Sequence, residues 1–203
     1  MITVHHLNQS RSLRIIWLLE ELDLPYEVIR YERNAKTRLA PDELRKVHPL
    51  GKSPVIEVDG QQITESGAIV EWLCARHGAH LVPDPGTDAH IRHLELMHFA
   101  EGSLMTPLLL HLYVGILGEA GAPLHGRISQ EIKSHFDYLE TLIRPSGHFV
   151  LDDLSAADVM LVFPVAGINR MGRQAEFPKL AAFVDAMHAR PAFQRALEAA
   201  GGD

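Results

Sequence analysis

Hydrophobic and polar positions change period along the chain, and the changes mark its elements. Ile2-Thr3-Val4 opens as a short strand. Ile15, Leu18, Leu19 and Leu22 then fall at i, i+3, i+4 and i+7, an apolar stripe on one helix face. After Pro25 the run Tyr26–Tyr31 (YEVIRY) returns to alternation and reads as a second strand. Asn34 to Pro41 is polar and loop-like, and Asp42 to Val47 suits one short helix. Pro54 to Val58 (PVIEV) is a third strand. Asp59-Gly60 is a hairpin turn signal, and Gln61 to Thr64 runs back. Glu65 to His77 reads as a helix with Ile69, Trp72 and Leu73 on one side. The order β-α-β-(α)-β-β-α begins with a right-handed parallel crossover and ends in a hairpin, which predicts a mixed sheet.

From His77 to Asp88 (HGAHLVPDPGTD) glycine, proline and aspartate accumulate as in a linker. Beyond it helical periods dominate, over about residues 88–118, 125–143, 155–170, 177–188 and 190–199, with only a faint strand pattern over His148 to Leu151. The expected organisation is an α/β domain over residues 1–79, a linker over 80–87 and an all-helical domain over 88–203. Within the last, Leu154-Ser155-Ala156-Ala157-Asp158-Val159 fits a capping box. Ser155 can accept from the N3 amide, Asp158 can reach back to the cap amide, and Leu154 and Val159 can close a hydrophobic staple.

Composition narrows the function classes. Nineteen Lys+Arg against 26 Asp+Glu give a net charge of −7, and no basic block appears, so a nucleic-acid partner is not expected. The single cysteine, Cys74, excludes an internal disulfide and any CxxC site, and its apolar setting (WLCA) reads as a buried structural thiol. No basic start precedes an apolar run, and the longest stretch free of charged residues, Gly102 to Gly118, contains Pro107 and His111 and is too short to span a bilayer. A cytoplasmic protein without membrane contact is therefore expected. His90, His93 and His98 cluster on one helix, but no carboxylate or cysteine completes a metal site, so no metal is expected. G-x-S-x-G, GxGxxG, a Walker A loop and H-E-x-x-H are all absent.

Three segments of the first domain carry candidate chemistry. Asn8-Gln9-Ser10-Arg11-Ser12 lies between the first strand and first helix, where amide donors face a negative ligand. Ser10 or Ser12 can equally cap that helix. Gly51-Lys52-Ser53-Pro54 precedes a strand; the proline holds Ser53 extended, which suits backbone pairing with a ligand or a plain loop-to-strand turn. Thr64-Glu65-Ser66-Gly67-Ala68-Ile69 opens a helix. There a ligand carboxylate can take the amides and the Ser66 hydroxyl while Glu65 accepts from an ammonium, or the pair simply caps.

Together these segments resemble the cytosolic glutathione transferase family, over nearly the whole chain. S-R-S-L-R-I-I-W-L-L-E-E-L is similar to the first helix of bacterial and fungal members, and H-P-L-G-K-S-P-V-I to the loop before the family's cis-proline, here Pro54. E-S-G-A-I resembles the glutathione-binding turn, although many members have Asn or Arg in place of Gly67, and L-S-A-A-D-V resembles the capping box of the helical domain. The resemblance implies a thioredoxin-like N-terminal domain followed by an all-helical C-terminal domain, and a homodimer. Glutathione would be the co-substrate and a small apolar electrophile its target. By the resemblance Glu65 and Ser66 would hold the γ-glutamyl end, the Ser53 backbone the cysteinyl part, and Lys52 would lie near the glycyl carboxylate, with Lys36 or Arg38 as a further cation. Ser10 would stand as hydroxyl donor to the thiol, with Ser12, the backbone amides or Asn8 as alternatives. The family's tyrosine and cysteine are missing, since His5, His6 and Leu7 precede the loop. His98, Glu101, Met105, Leu109 and Tyr113 are candidates for the electrophile pocket or for core.

The same site in such a fold can instead serve glutathione-dependent peroxide reduction or isomerisation. The fold also serves as a non-catalytic regulatory module, such as a partner of RNA polymerase, or as a store for hydrophobic compounds. Retention of Lys52, Ser53, Glu65 and Ser66 argues for glutathione chemistry.

Overall fold

The strand β1 (Ile2–Leu7) is buried at every position but Thr3 because it has neighbours on both sides. β2 (Tyr26–Tyr31) runs parallel to it, with Val4 opposite Val28. β3 (Val55–Val58) runs antiparallel to it, with Val4 opposite Ile56. β4 (Gln61–Thr64) pairs antiparallel with β3 and closes the order β2-β1-β3-β4. The computed structural model describes residues 1–202. They form two compact units, one of residues 1–79 together with His188 onward, the other of residues 80–187.

In the first unit, α1 (Leu13–Glu21) and α3 (Ser66–His77) carry the apolar residues predicted for them, and α2 (Asp42–Val47) buries only Leu44. The stripe on α1 is wider than its period implies: Arg14 to Leu19 are all buried. The reason is α10 (Pro191–Ala200), which packs on α1. Phe193 meets the Trp17 ring edge-on at 5.3 Å, and Arg190 holds Glu21 in a fork at 2.6 and 3.0 Å. The last helix, expected within a helical domain over 88–203, thus packs as part of the first unit. On α3, Trp72 is half-buried and lies under the Arg76 guanidinium at 4.4 Å; Ile69, Val70, Leu73 and Cys74 face inward instead.

The second unit is helical. The run predicted over 88–118 is α4 (Asp88–His98), a π-helical turn (Phe99–Leu104) and α5 (Met105–Gly115). α6 (Ala122–Leu142) starts earlier than its pattern suggested, with a proline in its first turn, where the missing amide costs no hydrogen bond. At Gly121 a Cβ would lie 2.5 Å from the Val114 carbonyl oxygen, so only glycine admits this approach. α7 (Ala156–Val165) begins at the predicted capping box: Ser155 accepts from the Asp158 amide at 3.3 Å and Asp158 accepts from the Ser155 amide at 2.7 Å. Pro164 lies inside α7, and the chain resumes as the short α8 (Gly167–Arg170) before α9 (Pro178–His188). No strand forms over 148–151, because the Phe149 amide donates to Asp158 Oδ1 and the Val150 carbonyl accepts from Arg144. Phe136 against Phe177 and Phe149 against Phe183 form the aromatic part of this core, at 5.3 and 5.0 Å. Among the described residues no helix is long and apolar enough to cross a membrane.

Candidate active site

Strand register brings the three candidate segments to one end of the sheet. His5 on β1 lies opposite Val55 on β3, and Val55 lies opposite Thr64 on β4. The loop after β1, the loop before β3 and the turn after β4 therefore share that end. Leu7 opposite Tyr31 adds the loop after β2.

The loop after β1 is built around buried hydroxyls. Ser10 and Ser12 are 6% and 0% exposed, and their Oγ atoms are 2.8 Å apart. Ser12 Oγ also lies 2.9 Å from Nδ1 of the buried His6, and the Ser12 amide donates to Ser10 Oγ at 3.3 Å. Ser12 occupies the N-cap of α1 but makes no side-chain cap bond, because its hydroxyl is engaged by Ser10 and His6. Asn8 Oδ1 accepts from the Arg33 amide at 2.9 Å, and Arg33 Nε donates to the Asn8 carbonyl at 3.1 Å. Gln9 is held at φ 51°, in the left-handed region, and accepts from Arg38 through its side chain. Asn34 folds the neighbouring loop by accepting from the Lys36 and Thr37 amides at 2.9 and 3.0 Å. Lys36 itself is exposed.

Before β3, Gly51 sits at φ 57°, and a Cβ there would meet Arg45 Cγ at 2.8 Å. Lys52 is exposed. The Ser53–Pro54 bond is cis. Ser53 Oγ donates to the His5 carbonyl at 2.7 Å and accepts from the Leu7 amide at 3.2 Å, so it ties this loop to β1. After β4, Glu65 is exposed at φ 67° and ψ 123°, a conformation costly for a residue with a side chain, and it makes no side-chain cap bond. Ser66, 4% exposed, opens α3 beside it. Plain capping by Ser12 or Glu65 side chains is thus not what these residues do.

Other candidates stand apart. Burial, with a smaller contribution from Glu71, pushes the Cys74 thiol up to about 12. Burial, with His90 beside it, pushes His93 down to about 4. Among the described residues no cluster of three or more His, Cys, Asp or Glu could hold a metal ion. Met105 is part of the helical unit's core, Glu101 and Leu109 are half-buried, and His98 and Tyr113 are exposed. None of the five lines the shallow pocket of about 420 Å³ in that unit, which Ser103, Thr106, Leu110, Arg127 and His135 help to form. The sequence alone does not single out His6 or Arg33. His6 gives a signal only once β1 is known to be buried, since a polar side chain there must find a partner.

Residues 1–74 match the description "Glutathione S-transferase, N-terminal domain" and residues 124–199 "Glutathione S-transferase, C-terminal domain". Glutathione S-transferase 1 of Saccharomyces cerevisiae is 33% identical over 187 residues, covering 81% of this chain and 80% of that protein. Glutathione S-transferase 3 of Schizosaccharomyces pombe is 35% identical, covering 84% of this chain and 75% of that protein. The chain belongs to the glutathione S-transferase family. A crystal structure of a glutathione S-transferase from Actinobacillus pleuropneumoniae has a TM-score of 0.90 at 31% identity, over 100% of this chain and 94% of that one. In this glutathione S-transferase, Ser10, Ser12, Ser53, Glu65 and Ser66 all lie inside the N-terminal match. α4, the π-helical turn and α5 lie between the two matched stretches.

Proposed function

We propose that this protein activates the thiol of glutathione for attack on small apolar electrophiles. The observation that carries the reading is the convergence of Ser10, Ser53 and the Glu65–Ser66 turn at one end of the sheet, with Glu65 held in a strained backbone conformation. In this reading Glu65 accepts from the γ-glutamyl ammonium. The Ser66 hydroxyl and the first amides of α3 take its carboxylate. The Ser53 backbone pairs with the cysteinyl part, and Lys52, with Lys36 or Arg38, attracts the glycyl carboxylate.

Ser10 is the catalytic residue, as donor to sulfur. A free thiol ionises near 8.5, so lowering that by two units takes about 2.7 kcal/mol. A hydrogen bond to a charged acceptor supplies about 1.5–3 kcal/mol, and the N-terminus of α1 adds about 0.3–1. The two together suffice. The thiolate then forms a bond to an electrophilic carbon and displaces its leaving group or opens its ring. Residues 1–79 hold glutathione and the helical segment from 88 onward supplies the electrophile site. The working form is a homodimer, and sedimentation as a monomer at micromolar concentration would count against that part.

The test is a glutathione titration followed by thiolate ultraviolet absorbance across pH. Thiolate forming well below pH 8.5 on the bound ligand supports the reading. No binding at millimolar glutathione overturns it. Turnover of a halogenated arene against a hydroperoxide then separates transfer from peroxide reduction.

A further inference from the structure

Two buried polar atoms stand in sequence behind the candidate catalytic hydroxyl, and proton counting along the chain of contacts has a functional consequence. Ser10 Oγ lies 2.8 Å from Ser12 Oγ, which lies 2.9 Å from His6 Nδ1. The exposures of Ser10, Ser12 and His6 are 6%, 0% and 1%, so Ser10 is the outer member. Each hydroxyl has one proton, and each contact consumes one. Three arrangements satisfy both contacts; the one in which Ser10 and His6 Nδ1–H both donate to Ser12 strands the proton of that fully buried hydroxyl, which is costly, and two remain. In one, Ser10 donates to Ser12 and Ser12 donates to a bare His6 Nδ1. Ser10 then has no proton left for a ligand. In the other, His6 Nδ1–H donates to Ser12, Ser12 donates to Ser10, and the Ser10 proton points away from Ser12. Ser10 Oγ then accepts twice, from Ser12 Oγ and from the Ser12 amide at 3.3 Å, which polarises its own O–H as a donor.

We propose that His6 and Ser12 are positioning residues: His6 carries its proton on Nδ1 and, through Ser12, turns the Ser10 hydroxyl outward to donate to the glutathione sulfur. This rests on the reading of Ser10 given above. It assigns Ser12 a place behind Ser10 rather than as a rival donor. It also separates the two adjacent histidines of β1. His5 is directed to the Tyr31 hydroxyl at 2.9 Å and to Glu57 at 3.5 Å, while its neighbour serves the site.

The experiment has two arms on the full-length protein with glutathione bound. The first is a histidine-selective nitrogen NMR measurement of the His6 tautomer, which disturbs nothing. A protonated Nδ1 is expected, and a bare Nδ1 overturns the proposal. The second compares Ser12→Ala and His6→Leu with Ser12→Thr and His6→Asn, each of the latter keeping the needed donor. The first pair should raise the bound thiol's pKa by about one unit and lower kcat/KM at pH 6.5 about fivefold, with the thiolate fraction. The second pair should restore both. Affinity for S-methylglutathione, which has no thiol to ionise, should stay within about twofold throughout, which separates positioning from folding or binding defects. Adding Ser12→Ala to Ser10→Ala should change nothing further. A lowered bound-thiol pKa in the native protein that survives Ser12→Ala overturns the relay and leaves the transferase reading intact. A larger effect from Ser12→Ala than from Ser10→Ala makes Ser12 the donor and also overturns it. No lowered pKa in the native protein removes both.

Discussion

At the scale of single residues, the site is a set of side chains and backbones held against their ordinary preferences. Glu65 at φ 67° and Gln9 at φ 51° occupy left-handed conformations that glycine would adopt at less cost. Pinning them requires neighbours, and for Gln9 these are Arg33 and Arg38. Glu65→Ala and Ser66→Ala should each raise the KM for glutathione about tenfold or more. They remove a charge-assisted or hydroxyl contact worth about 1.5–3 kcal/mol. Steady-state kinetics with varied glutathione checks this, and an unchanged KM would detach the turn from ligand binding. Cys74 gives a contrasting expectation. With its thiol pushed up to about 12 and its side chain 1% exposed, it should not react with a disulfide reagent at pH 8 in the folded protein. It should react stoichiometrically once denaturant is added. Rapid modification of the native protein would contradict the structural role.

At the scale of elements, what the chain makes legible is local and what it hides is tertiary. β2, α2 and β4 occupy the spans their patterns predict, because alternation, short amphipathic runs and the Asp59-Gly60 turn are local signals. The capping box was also legible, being four consecutive residues with one geometry. The π-helical turn was not, since an uninterrupted helical period runs through it. Nor was the partnership of Ser12 with His6, which depends on how β1 and α1 meet. The Ser-containing loop, the Lys52–Pro54 segment and the Glu65–Ser66 turn were readable as candidates. That they share one end of the sheet follows only from register. The capping box carries a prediction at this scale. Asp158 is fully buried and accepts from the Phe149 amide, the Ser155 amide and the Ser155 hydroxyl at 3.0, 2.7 and 2.7 Å. Asp158→Ala should therefore destabilise the protein by about 3 kcal/mol or more, with Ser155→Ala costing about 1–2. Urea denaturation monitored by circular dichroism decides, and equal small effects would mean the box is dispensable.

At the scale of the molecule, stability depends on pH and on the packing of α10 against α1. His93 is pushed from 6.5 to about 4, first by burial and then by His90, while Asp158 pulls the other way. Because the folded form resists protonation, this residue leaves stability untouched above pH 6.5 and lowers it progressively from there toward pH 4. The loss is on the order of 2 kcal/mol at pH 5. His93→Gln should flatten that part of the profile, and a profile unchanged by the substitution would assign the loss to other groups.

α10 is the less expected determinant. α10 lies more than a hundred residues beyond the helix it covers, yet α1 buries Arg14 to Leu19 because α10 is there. Aromatic contact between Trp17 and Phe193 at 5.3 Å and the Arg190–Glu21 fork fasten the two, with Arg195 on Glu20 at 2.6 Å beside them. Glu21 in turn accepts from the Trp17 indole at 2.7 Å, so the apolar and polar contacts share one residue pair. Phe193→Ala removes a ring that is 4% exposed and should cost about 3–4 kcal/mol. The same substitution should shift Trp17 emission to the red, since water then reaches the indole. Because α1 carries Ser12 at its start, loosening α1 should also raise the pKa of bound glutathione, though no substituted atom lies in the site. A Phe193→Ala protein as stable as the original, with unshifted emission, would show that α10 does not belong to the core of the first unit.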